Sequence, residues 1–283
     1  MPGYGSIVEE LKKRIASKPE LAGWASFYVD LISIQSKVDV RASEAAARNS
    51  IPIERLEAGL PLIALEELQM DSAAFIQLRR EICTIVSRYY PDLASRTDAI
   101  CRRLGEGEKA GVQQTSVPAE ARASGGEEDE LESTLLAFVD NQALRPFLRQ
   151  YAIGFMPFIE QLAWYRPRCP ICGGEPDFAA LARTNGARTL LCSRCDAEWI
   201  SRRSGCPFCA SDETAEQKYL VSEDGVYRLL LCEGCKRYLK TIDLRGVADE
   251  RLLPVERILT LSMDLTAREM GYAAMGSGNL ASD

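Results

Sequence analysis

The sequence predicts an α+β protein in which a helical N-terminal domain is followed by tandem cysteine modules built on β-strands and then by a C-terminal helix. Three observations predict this order. Apolar residues recur at helical spacing over 7–104, short strand-like runs alternate with turn residues over 167–245, and helical spacing returns over 255–272. The chain has 283 residues and is 46% hydrophobic, which suits one large folded domain or two ordinary ones.

Two stretches of the N-terminal half carry clear helix signals. The first has one apolar face, formed by Leu21, Trp24, Ala25, Tyr28, Leu31 and Ile32. The second begins at Asp71, whose carboxylate is suited to cap a first helical turn, and ends before Pro91, which cannot continue a helix. A shorter helix is predicted over 92–104.

The composition changes at residues 105–130. This segment contains several glycines and the acidic run 127–130 but few large apolar residues. Because it cannot bury enough surface to become ordered, we predict a flexible loop. A helix hairpin is predicted next, with arms over 131–139 and 144–165, and Pro167 ends it.

Eight of the ten cysteines form four Cys-x-x-Cys pairs, and Cys206 follows Cys169 by 37 residues, which indicates a duplication. Each Cys-x-x-Cys turn presents two thiolates to one metal ion, so two facing turns complete a tetrahedral site. Pairing the turns within each repeat predicts two metal sites. The first is Cys169, Cys172, Cys192 and Cys195, and the second is Cys206, Cys209, Cys232 and Cys235.

Each repeat also carries a β-hairpin pattern. Asn185-Gly186 predicts a two-residue turn in the first repeat, and Asp224-Gly225 lies in the corresponding turn of the second. Gly173 follows the first cysteine pair, where a positive φ is favoured, while Ala210 takes that place in the second repeat at a modest cost in strain. The predicted strands are 178–184, 188–191, 199–200, 218–221, 226–231 and 238–244.

The N-terminal sequence and the cysteines predict the compartment of the protein and the metals it binds. The N-terminus lacks a basic region followed by an apolar core, and no run approaches about 20 apolar residues, so we predict no secretory signal, no membrane span and a cytoplasmic location. In a reducing compartment, paired cysteines are better interpreted as metal ligands than as disulfides or free thiols. Four thiolates bind zinc and iron alike, so the predicted cofactors are two ions of either metal. The remaining Cys83 and Cys101 are predicted to be small buried hydrophobes.

The combined motif resembles the FdhE family, the formate dehydrogenase accessory proteins. It comprises Cys-Pro-x-Cys-Gly-Gly-x-Pro from Cys169, Leu-x-Cys-Ser-x-Cys-x-x-Glu-Trp from Leu190, a second Cys-Pro-x-Cys from Cys206, and Cys-x-x-Cys-x-x-Tyr-Leu-Lys-Thr-x-Asp from Cys232. The resemblance is sharp over 169–243. It implies tandem rubredoxin-like modules whose eight paired cysteines bind iron, in a non-catalytic accessory protein for maturation. Its partner would be the catalytic subunit of formate dehydrogenase, bound in the cytoplasm before export.

Two other functions are considered. A zinc-ribbon nucleic-acid-binding protein would contact phosphates through Arg183, Arg188, Arg194, Arg202, Arg203 and Arg228. However, the chain carries a net charge of −7, and its cysteine region is not basic on average, so no nucleic acid is expected as a partner. An enzyme would need an open metal position, whereas eight sulfurs fill two sites completely, and the absence of histidine removes the commonest general base.

The predicted domain organisation places the helical domain first and the two modules after it in tandem. Two features are candidates for contacting a client protein: the net negative charge of the chain and the aromatic residues of its helical region. These aromatics are Trp24, Phe27, Tyr28, Phe147, Phe155 and Trp164. The predicted boundaries are 1–166 for the helical domain, 167–205 and 206–250 for the modules, and 251–283 for the C-terminal helix with a frayed tail.

Overall fold

The computed structural model confirms an α+β protein with helices, one mixed sheet and two cysteine clusters. The chain divides into two compact units. The helical unit comprises 2–51 and 63–154, and the sheet unit comprises 52–62 and 155–283 together with Met1. The structure describes residues 1–39, 53–65, 68, 70–105, 127–159, 164, 166–211 and 216–274.

Helices form at both stretches whose apolar residues recur every three or four positions. In the second of the two stretches with clear signals, Asp71 caps the helix as predicted, because its Oδ1 accepts hydrogen bonds from the backbone N–H groups of Ala73 and Ala74 at 2.8 and 3.1 Å. The helices of the first half are α1 (Tyr4–Ser17), α2 (Ala22–Gln35), α3 (Ile53–Glu57), α4 (Ser72–Tyr89) and α5 (Ala94–Gly105).

The predicted helix hairpin is wrong, because one continuous helix, α6 (Glu127–Ile159), runs through the expected turn. Pro146 lies inside α6 and has no N–H to donate to the carbonyl of Gln142 one turn earlier. The side chain of Gln35 supplies that hydrogen bond instead, with its Nε2 at 2.8 Å from the Gln142 carbonyl oxygen. A contact from another helix therefore satisfies the carbonyl oxygen that Pro146 leaves without a helical donor.

Most of the predicted flexible loop lies outside the described residues. Its last four residues, 127–130, form the first turn of α6 rather than a loop. The end of the predicted second arm, after Ile159, also lies outside the described residues except for Trp164.

The strands of both repeats form at the predicted places and join into one six-stranded sheet. The order across the sheet is β3-β2-β1-β6-β5-β4. Neighbours within each repeat are antiparallel, whereas β1 and β6 pair in parallel, with Phe178 opposite Lys240. The strands are β1 (Pro176–Leu181), β2 (Arg188–Cys192), β3 (Glu198–Ser201), β4 (Gln217–Val221), β5 (Tyr227–Cys232) and β6 (Arg237–Asp243).

The hairpin turn of the first repeat is longer than the predicted two residues. The ladder between β1 and β2 continues to Ala182, whose N–H donates to the Ala187 carbonyl, so residues 183–186 form the loop. Gly186 takes a φ of 64° and Gly225 takes 73° in the second repeat, a conformation that glycine adopts without steric cost.

The predicted C-terminal helix is broken into α7 (Leu253–Leu259) and α8 (Leu261–Glu269). Thr260 lies at the break, and its hydroxyl donates to the carbonyls of Glu256 and Arg257, which competes with regular helical bonding. Lys240 of β6, buried beneath, donates from Nζ to the Arg257 carbonyl at 2.9 Å and to Asp264 at 2.6 Å. These bonds fix the two helices to the central strand.

Both helices cover the same face of the sheet. Leu253 of α7 packs on Phe178, Leu191 and Ile242, and Ala267 of α8 packs with residues of β5 and β6. The first residue of the predicted frayed tail, Ala273, forms backbone hydrogen bonds with Tyr238 of β6 and with Lys236, the residue before that strand.

No helix in the part of the chain that the structure describes is long and apolar enough to cross a membrane.

Candidate metal centre

The first cysteine quartet lies where the chain enters and leaves the first hairpin. Cys169 and Cys172 precede β1, Cys192 ends β2, and Cys195 lies in the turn before β3. The Sγ atoms of Cys169 and Cys195 are 3.5 Å apart, and Cys172 lies 3.6 Å from both Cys192 and Cys195. All four side chains are buried.

The second quartet repeats this arrangement around the second hairpin. Cys206 and Cys209 precede β4, Cys232 ends β5, and Cys235 lies in the turn before β6. The Sγ atoms of Cys206 and Cys235 are 3.6 Å apart, and those of Cys209 and Cys232 are 3.8 Å apart. In each quartet, all sulfurs lie within 4.8 Å of one another.

These separations fit a tetrahedral ion and no disulfide. With metal–sulfur bonds of about 2.3 Å, the sulfurs of a tetrahedral site lie about 3.8 Å apart. A disulfide would need about 2.05 Å, and all ten cysteines of this chain are free. The structure thus brings together the two sets of four cysteines that the sequence groups. Their role as metal ligands is developed as a proposal below.

Each Cys-x-x-Cys turn closes with a residue of positive φ. Gly173 and Ala210 take 66° and 57° after the first turn of each repeat, as the sequence predicts. Asp196 and Lys236 take 56° and 54° after the second turns, which sequence reasoning missed. Ala210, Asp196 and Lys236 are L-residues, and each adopts the left-handed conformation at a cost of about 1–2 kcal/mol. The geometry that all four Cys-x-x-Cys turns share therefore outweighs the preference of these residues for negative φ.

Backbone N–H groups of the turns point at the sulfurs. The N–H of Arg194 donates to the Sγ of Cys192, and the N–H of Phe208 donates to the Sγ of Cys206, both at 3.4 Å. Such donors stabilise the thiolate form that binds a metal. They arise because the tight turn aligns successive N–H groups on one side of the chain.

The pKa values of the cysteine thiols differ within each quartet. Burial raises the pKa of the Cys169 and Cys195 thiols, whereas hydrogen bonds from the neighbouring thiols lower the pKa of Cys172. In the second site, burial raises the pKa of Cys206 to about 11. For Cys232, burial acts in the same upward direction, but the N–H of Cys235 and the neighbouring thiols outweigh it and lower the pKa. A metal ion entering either site must therefore displace protons.

An ion-pair network that the sequence did not reveal supports the first site. Arg257 of α7 donates to the Oδ1 of Asp196 at 2.8 Å, to Asp177 at 3.4 Å and to the Cys192 carbonyl at 3.3 Å. Asp196 is only 2% exposed and directly follows Cys195. Because these partners are some 60 to 80 residues apart in the chain, only the tertiary fold brings them together.

A second arginine links the two repeats. Arg237 of β6 donates both Nη groups to the Glu175 carboxylate at 3.1 and 2.7 Å. Its guanidinium also lies 3.7 Å from the centre of the Phe208 ring. Glu175 belongs to the first repeat and Phe208 to a metal turn of the second, so one planar cation bridges the modules by a bidentate bond and a cation–π contact.

The other two cysteines belong to the helical unit. Cys83 of α4 is buried, as predicted, and Cys101 of α5 is partly exposed. Burial and contact with the Cys101 thiol raise the pKa of Cys83 to about 12. A high pKa keeps Cys83 protonated and unreactive.

Most of the candidate client-binding aromatics lie in the core. Phe27, Phe147, Phe155 and Trp164 are each at most 8% exposed. The side chains of Trp24 and Tyr28 are partly exposed. The structure therefore leaves two of the six candidates accessible for a docking surface.

The donor set decides what these sites can bind. Four thiolates in a tetrahedron suit zinc and iron, and the spacing of the sulfurs fits both. Each quartet fills a four-coordinate shell by itself, so a bound ion has no open position for a substrate. A bound ion would hold its module together, and iron would also permit one-electron transfer.

Sequence comparison finds similar proteins for part of the chain. No protein-family model matches the chain. A Protein FdhE homolog from Aquifex aeolicus is 31% identical over 161 residues, which cover 52% of this chain and 56% of that protein. A Protein FdhE homolog from Haemophilus influenzae is 30% identical over 111 residues, covering 38% and 36%.

The resemblance to the FdhE family is confirmed. The crystal structure of the FdhE protein from Pseudomonas aeruginosa superimposes with a TM-score of 0.57 at 20% identity, covering 95% of this chain and 92% of that one. That match shows the FdhE fold. The alignments to the curated FdhE homologs from Aquifex aeolicus and Haemophilus influenzae span only about half and about a third of the length of those proteins.

Proposed function

We propose that this protein is a non-catalytic, metal-binding accessory protein for the maturation of formate dehydrogenase. It holds two metal ions in its four-cysteine sites and binds the catalytic subunit of that enzyme in the cytoplasm before export. The observation that carries the proposal is the pair of sulfur quartets, set at metal-binding distances within a fold and sequence similar to FdhE proteins.

Metal binding by the eight cysteines is supported by three features of the turns. The sulfur separations of 3.5–3.8 Å match a tetrahedral shell. A residue of positive φ closes every Cys-x-x-Cys turn. Backbone N–H donors at Cys192 and Cys206 favour thiolate. By resemblance to the family the ions are iron, while the donor set accepts zinc equally well.

The closed coordination shells support a binding role over a catalytic one. A catalytic metal site keeps a position for water or substrate, whereas each quartet uses all four positions of its ion. The chain also contains no histidine, so the usual proton acceptor near neutral pH is missing. Rigid metal modules provide a platform on which another polypeptide docks.

A zinc-ribbon nucleic-acid-binding protein is the second candidate, and the arginine contacts give it little support. Arg188 is buried and donates to the Gly205 carbonyl, Arg183 donates to carbonyls of residues 247–249, and Arg228 pairs with Asp243. These three of the six candidate arginines are already engaged within the protein. A steep fall of DNA or RNA affinity with salt would favour this second function.

The proposal is tested by anaerobic purification of the tagged chain from cells that make formate dehydrogenase. We expect two metal equivalents by elemental analysis and co-purification of the catalytic subunit. An absorption spectrum distinguishes the metals, because ferric thiolate is coloured and zinc thiolate is not. A variant with serine at Cys169 and Cys232 provides the matched control and is expected to lose both the metal and the catalytic subunit. Metal-free wild-type protein, or capture of the subunit by the control, would contradict the proposal.

A further inference from the structure

The two quartets have the same residues but different exposure. Cys169, Cys172, Cys192 and Cys195 are all buried, and none is more than 3% exposed. In the second quartet Cys206 and Cys232 are buried, whereas Cys209 is exposed and Cys235 is partly exposed. The two accessible residues are the second cysteines of their turns, and their counterparts in the first repeat, Cys172 and Cys195, are buried.

The sheet order accounts for the exposure of Cys209. Strand β1, which follows the first cysteine turn, is central because it pairs with β2 on one side and with β6 on the other. Its counterpart β4 lies at the edge of the sheet and pairs only with β5. Tyr219 and Val221 of β4 are accordingly 53% and 54% exposed. The duplication therefore places one metal turn inside the unit and the other at its rim.

Separate chain segments enclose the first site. The N–H of Leu62 donates to the Pro170 carbonyl at 2.8 Å, inside the first Cys-x-x-Cys turn. The ring of Pro61 lies against Gly173, where an added Cβ would meet it at 3.2 Å. On the other turn, Arg257 holds Asp196 and the Cys192 carbonyl.

The backbone also differs between the equivalent positions. Gly173 closes the first turn without steric cost, whereas Ala210 holds the same positive φ with a Cβ that disfavours it. Opening the turn of Cys206 and Cys209 releases this strain, whereas opening the turn of Cys169 and Cys172 releases none. Of the remaining turns, each site has one strained residue, Asp196 in the first and Lys236 in the second. Strain and exposure therefore both favour opening at the second site.

We infer that the two sites have different roles: the first metal is structural, and the second is exchangeable, with Cys209 and Cys235 as the sulfurs that reagents and partners reach. This inference rests on the metal binding of the proposed function. A chelator, a thiol reagent or a partner's sulfur attacks the second ion from its exposed side, while the first ion leaves only when the enclosing segments open. A surface that exchanges metal or ligands during maturation would thus lie at the β4 edge.

The test uses the full-length protein loaded with two equivalents of Zn²⁺. Zinc release is followed with a chromogenic chelator in the presence of N-ethylmaleimide, and the modified cysteines are mapped by mass spectrometry over time. We expect two phases of equal amplitude whose rates differ at least about tenfold, since local opening controls the slower one. Cys209 and Cys235 are expected to be modified before any cysteine of the first quartet.

Two matched variants assign the phases. Cys192→Ser and Cys232→Ser change equivalent positions, because each cysteine ends the middle strand of its repeat. Cys232→Ser is expected to remove the fast phase, and Cys192→Ser the slow one. If either variant fails to fold, the order in which the cysteines of the wild-type protein are modified still tests the inference.

A single release rate for both ions, or earlier modification of the first quartet, would overturn the inference. That outcome differs from failure of the proposed function, because the zinc content before release and the capture of the catalytic subunit are measured separately. A protein with two zinc ions that leave together keeps the proposed function and loses only this inference.

Discussion

The ion pair between Arg257 and Asp196 gives a direct test of how the C-terminal helices stabilise the first cysteine site. Arg257→Met keeps the apolar stem of the side chain and removes the guanidinium. The carboxylate of Asp196, 2% exposed, then loses a hydrogen bond of 2.8 Å from a positive charge. Breaking a buried pair by removing one partner costs about 3–5 kcal/mol. The contact to the more exposed Asp177 adds at most about 1 kcal/mol.

Hydrogen exchange of the metal-loaded protein, measured by mass spectrometry, is a suitable assay. A loss of about 3–5 kcal/mol corresponds to a hundredfold to several-thousandfold loss of protection in peptides that span β2 and β3, if exchange occurs through local opening. Peptides of α4 serve as the internal reference, since that helix belongs to the other unit. Protection there is expected to stay unchanged.

A double variant separates charge from packing. Asp196→Asn combined with Arg257→Met removes both charges, and asparagine tolerates the φ of 56° at this position. Replacing a buried ion pair by hydrophobic residues is often close to neutral, and the asparagine here carries no charge, so part of the protection should return. The reasoning is refuted if Arg257→Met lowers protection less than about threefold, or if the double variant is as poorly protected as the single one.

The remaining predictions concern the cysteine turns. Cys169→Ser and Cys232→Ser should each lose one metal equivalent by elemental analysis while far-UV circular dichroism retains the helical signal; two tightly held ions in either variant would contradict the grouping. Gly173→Ala should weaken metal binding at the first site by about 1–2 kcal/mol, because alanine disfavours positive φ. Ala210→Gly should not weaken metal binding at the second site. Competition titration with a chelator measures both affinities. Since burial raises the pKa of Cys206 from about 9 to about 11, its thiol is protonated at neutral pH. Metal must displace this proton, so zinc affinity should fall as pH decreases from 8 to 6, and affinity that does not vary with pH would be inconsistent with thiol ligands.

Local features of the fold were predictable where one short segment contains the whole signal. Asp71 and Pro91 mark the ends of α4 because capping and proline sterics act within a single turn. The strands of both repeats were placed within a few residues by their turns and apolar runs. The position of the hairpin loop at Gly186 was predicted correctly, but its length was not. The last pair of the strand ladder is Ala182 with Ala187, which leaves a loop of four residues and not two.

Features that depend on distant partners were missed. The continuous α6 needs Gln35 to bond the carbonyl that Pro146 leaves free. The break at Thr260 accompanies hydrogen bonds that Lys240 donates from a strand some 20 residues earlier. The buried charges of Lys240 and Asp196 look like surface residues in the sequence, because their partners are far away in the chain.

The grouping of the cysteines, two sets of four, was determined by the sequence alone, since Cys-x-x-Cys spacing and a duplication leave little freedom in how thiolates meet. The tertiary structure decided that the two sets are not equivalent. Parallel pairing of β1 with β6 places one repeat's first strand in the centre of the sheet and the other's at its edge. Two similar sequences thereby acquire different exposure, because burial depends on what packs around a turn and not on the residues within it.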